Sequence, residues 1–390
     1  MQSAGHAKDM SGLGCTRVGR CDRNPFVKQT PASPETAYLE LTFACNNDCP
    51  GCTNIGFTVN VARRAPTQRP LFHPCPLSGQ GWHQILDKLE PSVTHINLTG
   101  GEPTLRPDFN AIAISIDRRK IDFGILTNGR WREPEQLVSF LAELPHFRGF
   151  LVSLHGASPE AHEALSGTPG SFAETISNIA LAVRAGLAVA TSTVIARQNI
   201  PELDVILALS RDLGAWEASF NHFLSPAAWE QHATRGNRPE ATIPTPNELR
   251  MAVRIIERLR EETDDPHPIS YGPCIPQCFE PSSSRGCSAG ETSFVIDPWG
   301  NVKPCTDAIL HCGNLLTQTV EEIWWGAEMQ YWRGLMPAGC SNCAALAKCH
   351  AGCRATILAS GLGHDPLMQG PVPPPTHSSD GSQRYLQPVY

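Results

Sequence analysis

The sequence predicts an α/β protein in which a partial, open (β/α)6 TIM-like barrel precedes a small cysteine-rich α+β domain. Between residues 37 and 223, six short apolar or alternating runs are separated by stretches of helical periodicity, an order typical of a parallel sheet with right-handed crossovers. Six units are two fewer than a closed barrel has, so we expect the sheet to stay open. Farther along, nine of the 15 cysteines fall between Cys274 and Cys353, which indicates a second region of different character.

The strand candidates are short and are bounded by polar or glycine-containing turns. In chain order they are AYLELTF (37–43), HINLTG (95–100), DFGILT (122–127), RGFLVSL (148–154), LAVATSTVI (187–195) and WEASFNHF (216–223). Helix candidates, with apolar residues three and four positions apart, fill the gaps and follow the last strand. They are GWHQILDKLE (81–90), FNAIAISIDRR (109–119), EPEQLVSFLAEL (133–144), SFAETISNIALAVRAG (171–186), PELDVILALSRDLG (201–214) and ELRMAVRIIERLREET (248–263).

Shifts in composition divide the chain into five segments. Residues 1–36 form a polar N-terminal extension, residues 37–225 the partial barrel, and residues 226–265 a Pro-rich linker with one helix. The cysteine-rich domain spans residues 266–363, and residues 364–390 form a Pro-rich tail that we expect to be disordered.

Charge and hydropathy exclude several classes of partner. The formal net charge is -7 and no basic stripe occurs, so we expect no nucleic acid to bind. No apolar run of about 18 residues is present, and the first thirty residues contain no apolar core of signal-peptide length. These features predict a cytoplasmic protein without a membrane partner. In a reducing compartment, clustered cysteines favour metal ligation over disulfides.

The first cysteine cluster, CNNDCPGC, directly follows the first strand candidate and spaces Cys45, Cys49 and Cys52 as C-x3-C-x2-C. A zinc site usually has four ligands in a closed tetrahedron, and here the next candidates are His73 and Cys75. Three thiolates on a tight loop can instead hold three irons of a [4Fe-4S] cluster and leave the fourth iron open to an exogenous ligand. An open iron indicates chemistry rather than a purely structural site.

Three further turns lie at the same edge of the predicted sheet as the cysteine cluster. GGEP (100–103) ends the second strand candidate, TNG (127–129) the third and SLHG (153–156) the fourth. Because the carboxyl ends of parallel strands meet at one face, and chemistry in such folds lies there, the four turns predict one mouth.

Together, CNNDCPGC after a first strand and GGEP at the end of a second resemble the radical S-adenosylmethionine superfamily. The resemblance implies that the cysteines of the first cluster bind a [4Fe-4S] cluster whose open iron chelates S-adenosylmethionine. Reductive cleavage would then yield a 5'-deoxyadenosyl radical that abstracts hydrogen. It also assigns Gly100, Gly101, Glu102 and Pro103 to the methionine amine, and Asn128 and Ser153 to the carboxylate and ribose. Gly51 stands where such enzymes often have an aromatic residue.

The second cysteine region resembles SPASM, a module that binds auxiliary [4Fe-4S] clusters. CSNCAALAKCHAGC (340–353) spaces its cysteines as C-x2-C-x5-C-x3-C, and upstream lie Cys287, Gly300 and Cys305. Zinc ribbons built from pairs of these cysteines are the alternative. The resemblance implies one or two auxiliary clusters whose ligands come from one set of residues: Cys278, Cys287, Cys305, Cys340, Cys343, Cys349 and Cys353.

The resemblance leaves the second region one thiolate short, because no cysteine follows Cys353. Residue by residue, one cluster takes Cys287, Cys305 and Cys353 with an upstream cysteine, either Cys278 or Cys274. The other takes Cys340, Cys343 and Cys349, and its last iron is completed by Cys312, His364 or Asp365 or stays open. A single auxiliary cluster also fits the sequence.

The function that the resemblance implies is radical modification of a peptide or a peptide-derived substrate, as in a maturase of ribosomal peptides or cofactors. A reductant such as flavodoxin or ferredoxin would supply the electron, and a small-molecule substrate is the alternative. Sulfatase-type protein oxidation ranks lower, because His155 stands where related enzymes often have an aspartate base. Tetrapyrrole side-chain chemistry remains a third possibility. An electron carrier or zinc scaffold would need neither GGEP nor an open iron.

Overall fold

The computed structural model of the protein describes residues 30–50, 52, 77–223, 242–262, 268–271, 275–283 and 286–370. Several sequence-based predictions therefore lie outside the described residues, among them those for residues 1–29 of the N-terminal extension, Gly51, His73, Cys75, Cys274 and residues 371–390.

The core of the fold is one mostly parallel sheet. Its first six strands are β1 (Thr36–Thr42), β2 (His95–Gly100), β3 (Asp122–Thr127), β4 (Phe147–Ser153), β5 (Val189–Ile195) and β6 (Glu217–His222). The helices between and after them are α1 (Gly79–Leu89), α2 (Phe109–Arg118), α3 (Pro134–Ala142), α4 (Pro159–Ser166), α5 (Ser171–Arg184), α6 (Leu203–Asp212) and α7 (Pro246–Glu262). The predicted alternation of strands and helices is confirmed, but the short helix α4 was not predicted, although Ser158 and Pro159 at its start and Gly167 at its end are typical helix signals.

The cysteine-rich region adds strands to both edges of this sheet. They are β7 (Ile269–Tyr271), β8 (Ser293–Ile296), β9 (Asn301–Lys303) and β10 (Gly313–Asn314), and the order across the sheet is β10-β9-β8-β1-β2-β3-β4-β5-β6-β7. Strand β8 runs parallel to β1, whereas β9 is antiparallel to both of its neighbours, β8 and β10. Since β10 and β7 are the two edges, the sheet is open, as predicted. It is wider than six strands because the C-terminal region completes it.

Up to residue 370, four short helices follow the last strand: α8 (Val320–Trp324), α9 (Ala327–Gly334), α10 (Leu346–Cys349) and α11 (Arg354–Ser360). Helix α8 begins with a capping box, in which Thr319 and Glu322 satisfy each other's backbone N–H groups. The buried indole of Trp332 on α9 donates a hydrogen bond to Ala289 O at 2.9 Å, so these helices are fixed to the segment that leads into β8.

The two faces of the sheet differ in chemistry. Leu39, Leu98, Ile125 and Phe150 are paired in register across β1 to β4 and face the helices in a continuous apolar core. On the opposite face, residues such as Tyr38 and Asn97 pair in register and are only half-buried. Because side chains alternate along a strand, the interior of the open barrel is polar while its outer layer is apolar. Among the described residues, no helix combines the length and the apolar character needed to cross a bilayer.

A stacked pair of histidine rings follows β4, with 5.8 Å between the ring centroids of His155 and His162. His155 Nδ1 accepts the backbone N–H of Val194 at 3.3 Å, and His162 Nδ1 accepts the backbone N–H of His155 at 3.2 Å. Burial, with the charge of His162, lowers the pKa of His155 to about 3. Burial, with the charge of Arg130, lowers the pKa of His162 to about 4. Both rings are therefore neutral acceptors at physiological pH.

The pH dependence of the free energy of unfolding should reveal the lowered pKa values of these two histidines. A histidine with a lowered pKa stabilises the fold above its unfolded pKa of 6.5 and loses that contribution as the pH falls toward about 4. We predict that His162→Gln, whose amide oxygen can still accept the His155 N–H, reduces the slope of unfolding free energy against pH by about 1.4 kcal/mol per pH unit in this window. Urea denaturation followed by circular dichroism measures the slope. An unchanged slope would contradict the assignment, and the region near pH 8 serves as an internal control.

Candidate active site and cysteine groups

The cysteine loop that follows β1 is hydrogen-bonded to the turn that follows β2. Gly101 N donates to Thr42 O at 2.6 Å, and Glu102 N donates to Ala44 O at 2.8 Å. These bonds begin where the parallel pairing of β1 and β2 ends. The cysteine loop therefore leaves the sheet in a direction set by its neighbouring turn.

Two glycines of GGEP allow this close approach. Gly100 has a φ of 132°, and a Cβ atom on it would lie 2.2 Å from Thr42 O. A Cβ on Gly101 would lie 2.3 Å from Ala44 O. No side chain fits at either position. The resemblance assigned both glycines to the methionine amine. The structure shows that both glycines also allow the cysteine loop to pack closely against the turn after β2.

The Glu102 carboxylate lies beneath the loop and is 0% exposed. Oε1 accepts hydrogen bonds from Thr104 N (3.2 Å) and Thr104 Oγ1 (2.7 Å), and Oε2 accepts from Thr127 Oγ1 (2.9 Å) and Asn128 N (2.8 Å). Burial raises its pKa, and these hydrogen bonds act in the opposite direction. A carboxylate has about four acceptor positions, so the protein itself uses this group fully. Glu102 ties together the ends of β2 and β3.

Asn128, in the turn after β3, touches the first cysteine directly. Its Nδ2 lies 3.6 Å from Cys45 Sγ and donates to Asn46 Oδ1 at 2.7 Å, while its Oδ1 accepts from Arg130 N at 2.8 Å. Asn47 N also lies 3.4 Å from Cys45 Sγ. Two N–H donors thus face a sulfur that would carry negative charge as a metal ligand.

Arg130, which the sequence analysis did not identify, clamps the same loop. Its Nη1 donates to Asn46 O at 2.6 Å and to Asn47 Oδ1 at 2.9 Å. Its Nε forms an ion pair with Glu174 of α5 at 2.9 Å. The only sequence signal is its position directly after TNG. A planar guanidinium with several donors can join a loop to a helix in this way.

Helix α4 holds the loop from the other side. Asp48 N donates to Ser166 O at 2.9 Å. Gly167 has a φ of 65°, and a Cβ atom there would lie 2.0 Å from Asp48 O. The helix α4 missed in the sequence is therefore part of the support of the cysteine loop.

The remaining candidate residues of the mouth lie on neighbouring elements. Pro103 is buried and begins a 3-10 turn (Pro103–Leu105). Ser153 is half-buried at the end of β4, paired in register with Ser192. The structure thus brings the ends of β1 to β4 to one edge, as the sequence predicted.

The environment of the first thiol group, which is Cys45, Cys49 and Cys52, suits a metal cluster. Burial raises the pKa of Cys45, and burial with the charges of Cys52 and Cys45 raises that of Cys49 well above its usual value. Thiolates crowded in a buried loop need a cation to compensate their charge, and metal binding displaces their protons. Cysteine thiolates are the usual ligands of [4Fe-4S] clusters, so this donor set fits one.

A second set, the barrel-side thiol group, consists of Cys287, Cys305 and Cys353. Burial, followed by the charges of Asp307 and then of Cys287 and Cys353, raises the pKa of Cys305 well above its usual value. The three thiols line a cavity of about 400 Å³ together with Tyr38 from the barrel interior. This group therefore lies next to the polar interior of the barrel.

A third set, the outer thiol group, consists of Cys278, Cys340, Cys343 and Cys349. Burial, with the charges of Cys343, Cys349 and Cys278, raises the pKa of Cys340 to about 11. The charge of Cys278 likewise acts on Cys349. We expected Cys278 to join the barrel-side thiol group, whereas the N–H of its neighbour Gln277 lies 3.4 Å from Cys349 Sγ of the outer thiol group. Tertiary folding of the segment before β8 decides this placement.

The alternatives for the last ligand of the outer thiol group are engaged elsewhere. Cys312 is 4% exposed in the apolar core, and burial, with the charge of Glu328, raises its pKa to about 12. His364 is exposed and its Nδ1 lies 3.0 Å from Leu362 O. Asp365 accepts from Cys353 N at 3.1 Å and from Leu367 N at 2.9 Å. Within the described part of the chain, no three His, Cys, Asp or Glu side chains converge on a single metal ion.

Comparison with known proteins agrees with this geometry. The model of the radical SAM superfamily matches residues 39–209, and the model of the SPASM iron-sulfur cluster-binding domain matches residues 287–350. The PqqA peptide cyclase of Ruegeria pomeroyi is 25% identical over 356 residues, 88% of each chain. The mycofactocin maturase of Mycobacterium tuberculosis is 29% identical over 351 residues, 87% of this chain and 82% of the relative.

Solved structures share the fold. Streptococcus suis SuiB bound to S-adenosylmethionine superposes with a TM-score of 0.68 at 16% identity, covering 87% of this chain and 78% of SuiB. SuiB bound to the precursor peptide SuiA gives a TM-score of 0.67. The chain therefore contains a radical SAM domain and a SPASM iron-sulfur domain, which together make it an enzyme that uses a [4Fe-4S] cluster with S-adenosylmethionine and auxiliary clusters.

Proposed function

We propose that this enzyme modifies a ribosomally made peptide or a peptide-derived cofactor precursor by abstracting hydrogen from an unactivated carbon. The observation that carries the proposal is the extent of the similarity to peptide-acting enzymes. The PqqA peptide cyclase matches over 88% of both chains, so the relationship includes the barrel and the cysteine-rich region together.

The polar interior of the open barrel supports a peptide as substrate. Tyr38 and Asn97 pair in register on this face, and Asn221 Nδ2 donates to Ser192 Oγ at 2.9 Å across β5 and β6. A peptide presents one amide donor and one carbonyl acceptor for almost every residue, and these need partners when they leave water. Hydroxyl and amide side chains on the strands provide such partners between the first thiol group and the barrel-side thiol group.

The residues divide into two roles in this proposal. Cys45, Cys49 and Cys52 hold the first cluster, and the segment Gly100–Pro103 with Asn128 and Ser153 surrounds S-adenosylmethionine. Glu102 acts as a positioning residue, because its acceptors are used by Thr104, Thr127 and Asn128. Cys287, Cys305 and Cys353 hold one auxiliary cluster, and the outer thiol group holds another.

When bound, the cluster and S-adenosylmethionine supply the electron transfer and the carbon radical that abstracts hydrogen. The chain's own residues fix the cysteine loop and enclose the reacting centre. The electron must come from a one-electron reductant such as flavodoxin or ferredoxin. Since thiolate ligands must stay reduced, we place the enzyme in the cytoplasm.

Sulfatase-type oxidation of a protein side chain would need a base at the turn after β4. His155 stands there, but its Nδ1 already accepts the backbone N–H of Val194 at 3.3 Å. Desolvation also lowers its pKa to about 3, so it is a weak base. The environment of His155 therefore favours a reaction that needs no protein base, such as the proposed peptide modification, over sulfatase-type oxidation.

Cleavage of S-adenosylmethionine tests the proposed chemistry. After anaerobic reconstitution and reduction, we expect the enzyme to form 5'-deoxyadenosine, and we expect Cys49→Ala to abolish it because only two thiols of the first group remain. Cys312→Ser, a change at a buried cysteine of the apolar core, is the matched control and should keep activity. Absence of cleavage in protein whose clusters are confirmed by iron and sulfide counts would refute the proposal.

The substrate class is tested with a candidate precursor peptide encoded next to the gene. Incubation with reduced enzyme and S-adenosylmethionine should change the peptide mass and accelerate 5'-deoxyadenosine formation. If haem precursors accelerate the cleavage and peptides do not, the substrate is a tetrapyrrole and the peptide assignment is wrong.

The Arg130 clamp should matter for retention of the first cluster. Arg130→Gln removes the ion pair to Glu174 and the guanidinium bonds to Asn46 and Asn47. Loss of such supporting contacts typically costs about 10- to 100-fold in metal affinity or activity. We expect the first cluster to be lost faster under chelator challenge. Exposed Arg132, two residues along, is the control, and equal behaviour of Arg132→Gln and Arg130→Gln would argue against the clamp.

Glu102→Gln should disturb the site without changing side-chain size. The amide offers one acceptor oxygen, so either the Thr104 donors or those of Thr127 and Asn128 lose their partner. We predict a loss of stability of about 2 kcal/mol or more and a fall in 5'-deoxyadenosine formation. Thermal unfolding and the cleavage assay measure the two effects. A variant with full activity and stability would show that the carboxylate does not position the loops.

A further inference from the structure

The sequence places one cysteine fewer than expected at the end of the cysteine-rich region. Cys340, Cys343 and Cys349 lie within ten residues of one another, and no cysteine follows Cys353. Within these 390 residues, the nearest further thiols for this group therefore lie earlier in the chain. The segment 275–283, which precedes β8, reaches this place in the fold.

We propose that Cys278 supplies the fourth thiolate of an auxiliary cluster held by Cys340, Cys343 and Cys349. The resemblance places this ligand after Cys353, and Cys278, which precedes Cys287 in sequence, takes its place. This inference rests on the proposed function, because it takes the cysteine-rich region to hold iron-sulfur clusters.

Contacts hold the Cys278 segment against the outer thiol group. Gln277 N lies 3.4 Å from Cys349 Sγ. A Cβ atom on Gly352 would lie 3.1 Å from Pro276 Cγ, so the two segments are in van der Waals contact there. The two residues that precede Cys278 therefore lie against Cys349 and Gly352, next to the group that Cys278 is proposed to complete.

The segment is ordered by its own contacts. Ser283 Oγ lies 3.0 Å from Ile275 O, and Gln277 Nε2 donates to Ser283 O at 2.9 Å. Ile275 and Phe279 are buried in the apolar core that α6 and α7 share with β6 and β7. A side chain held between two buried anchors is preorganised as a ligand.

The sulfur of Cys278 has the surroundings of a cluster ligand. Gln369 N lies 3.4 Å from it, just as Asn47 N faces Cys45 Sγ and Ala289 N faces Cys287 Sγ at 3.4 Å each. Backbone N–H groups directed at sulfur are among the contacts that set the potential of iron-sulfur clusters. Cys278 therefore resembles the other candidate ligands in its hydrogen bonding.

If Cys278 belongs to the outer thiol group, the barrel-side thiol group becomes the one that is a cysteine short. The outer thiol group then has four cysteines and the barrel-side thiol group three among the described residues. The barrel-side group lines the cavity of about 400 Å³ that includes Tyr38. Any position of that cluster not taken by cysteine would therefore adjoin the barrel interior.

The test isolates each auxiliary cluster in the full-length chain. Cys45, Cys49 and Cys52 are first replaced by alanine to remove the first cluster. In one background, Cys305→Ala and Cys353→Ala then remove the barrel-side cluster. In the other, Cys340→Ala and Cys343→Ala remove the outer cluster. Each reconstituted background should retain about four irons per chain.

Cys278→Ser is then added to each background and the reduced protein is examined by electron paramagnetic resonance and redox titration. We expect the signal and the potential to change only in the background that retains the outer cluster, because an oxygen replaces one sulfur ligand there. An unchanged signal in that background, or a change in the other, would overturn the assignment.

Cys312→Ser is the matched control and should leave both signals unchanged. Circular dichroism establishes that each background is folded, and serine in place of alanine at the removed positions supplies a second, more conservative pair of backgrounds. The readout does not depend on cleavage of S-adenosylmethionine, so failure of this assignment and failure of the proposed function are distinguishable.

Discussion

The buried carboxylate of Glu102 is the interaction on which the active-site mouth depends. Its two oxygens accept four hydrogen bonds from Thr104, Thr127 and Asn128, and its backbone N–H donates to Ala44 of the cysteine loop. An unpaired carboxylate at this depth would be costly, so the three loops must adopt the positions that satisfy it. Since the ends of β1, β2 and β3 meet at one residue, the position of Cys45 is fixed by contacts far from it in sequence.

Electrostatics explain why this rigid loop suits a metal cluster. Burial raises the pKa of Cys45 and Cys49, which disfavours charged thiolates until a cation is present. Asn128 Nδ2 and Asn47 N face Cys45 Sγ, so polar donors are ready when the sulfur becomes a ligand. Arg130 and Gly167 hold the same loop from outside. The protein thus provides fixed hydrogen-bond donors around half-buried thiols, and the cofactor supplies the reactivity.

The C-terminal region is part of the barrel architecture as well as a carrier of thiols. Strand β8 pairs with β1 in parallel, and the buried Lys303 of β9 forms an ion pair with Glu40 of β1 at 3.0 Å. The barrel-side thiol group is therefore attached to the strand that also leads into the first cysteine loop. The first thiol group and the barrel-side thiol group therefore lie toward opposite ends of the polar interior of the barrel.

The sequence by itself determined the six core strands, the open parallel sheet and the candidate thiols, because apolar periodicity and cysteine spacing are local patterns. It also identified GGEP, whose glycines prove to be required because a Cβ atom would lie 2.2 Å from Thr42 O of β1 or 2.3 Å from Ala44 O of the cysteine loop. Only the tertiary structure decided the roles of Arg130 and helix α4, the added strands at both sheet edges, and the neighbours of Cys278. All of these features depend on contacts between segments that are distant in sequence, such as Gln277 and Cys349. A contact of this kind leaves no periodic pattern in either of the two segments that make it.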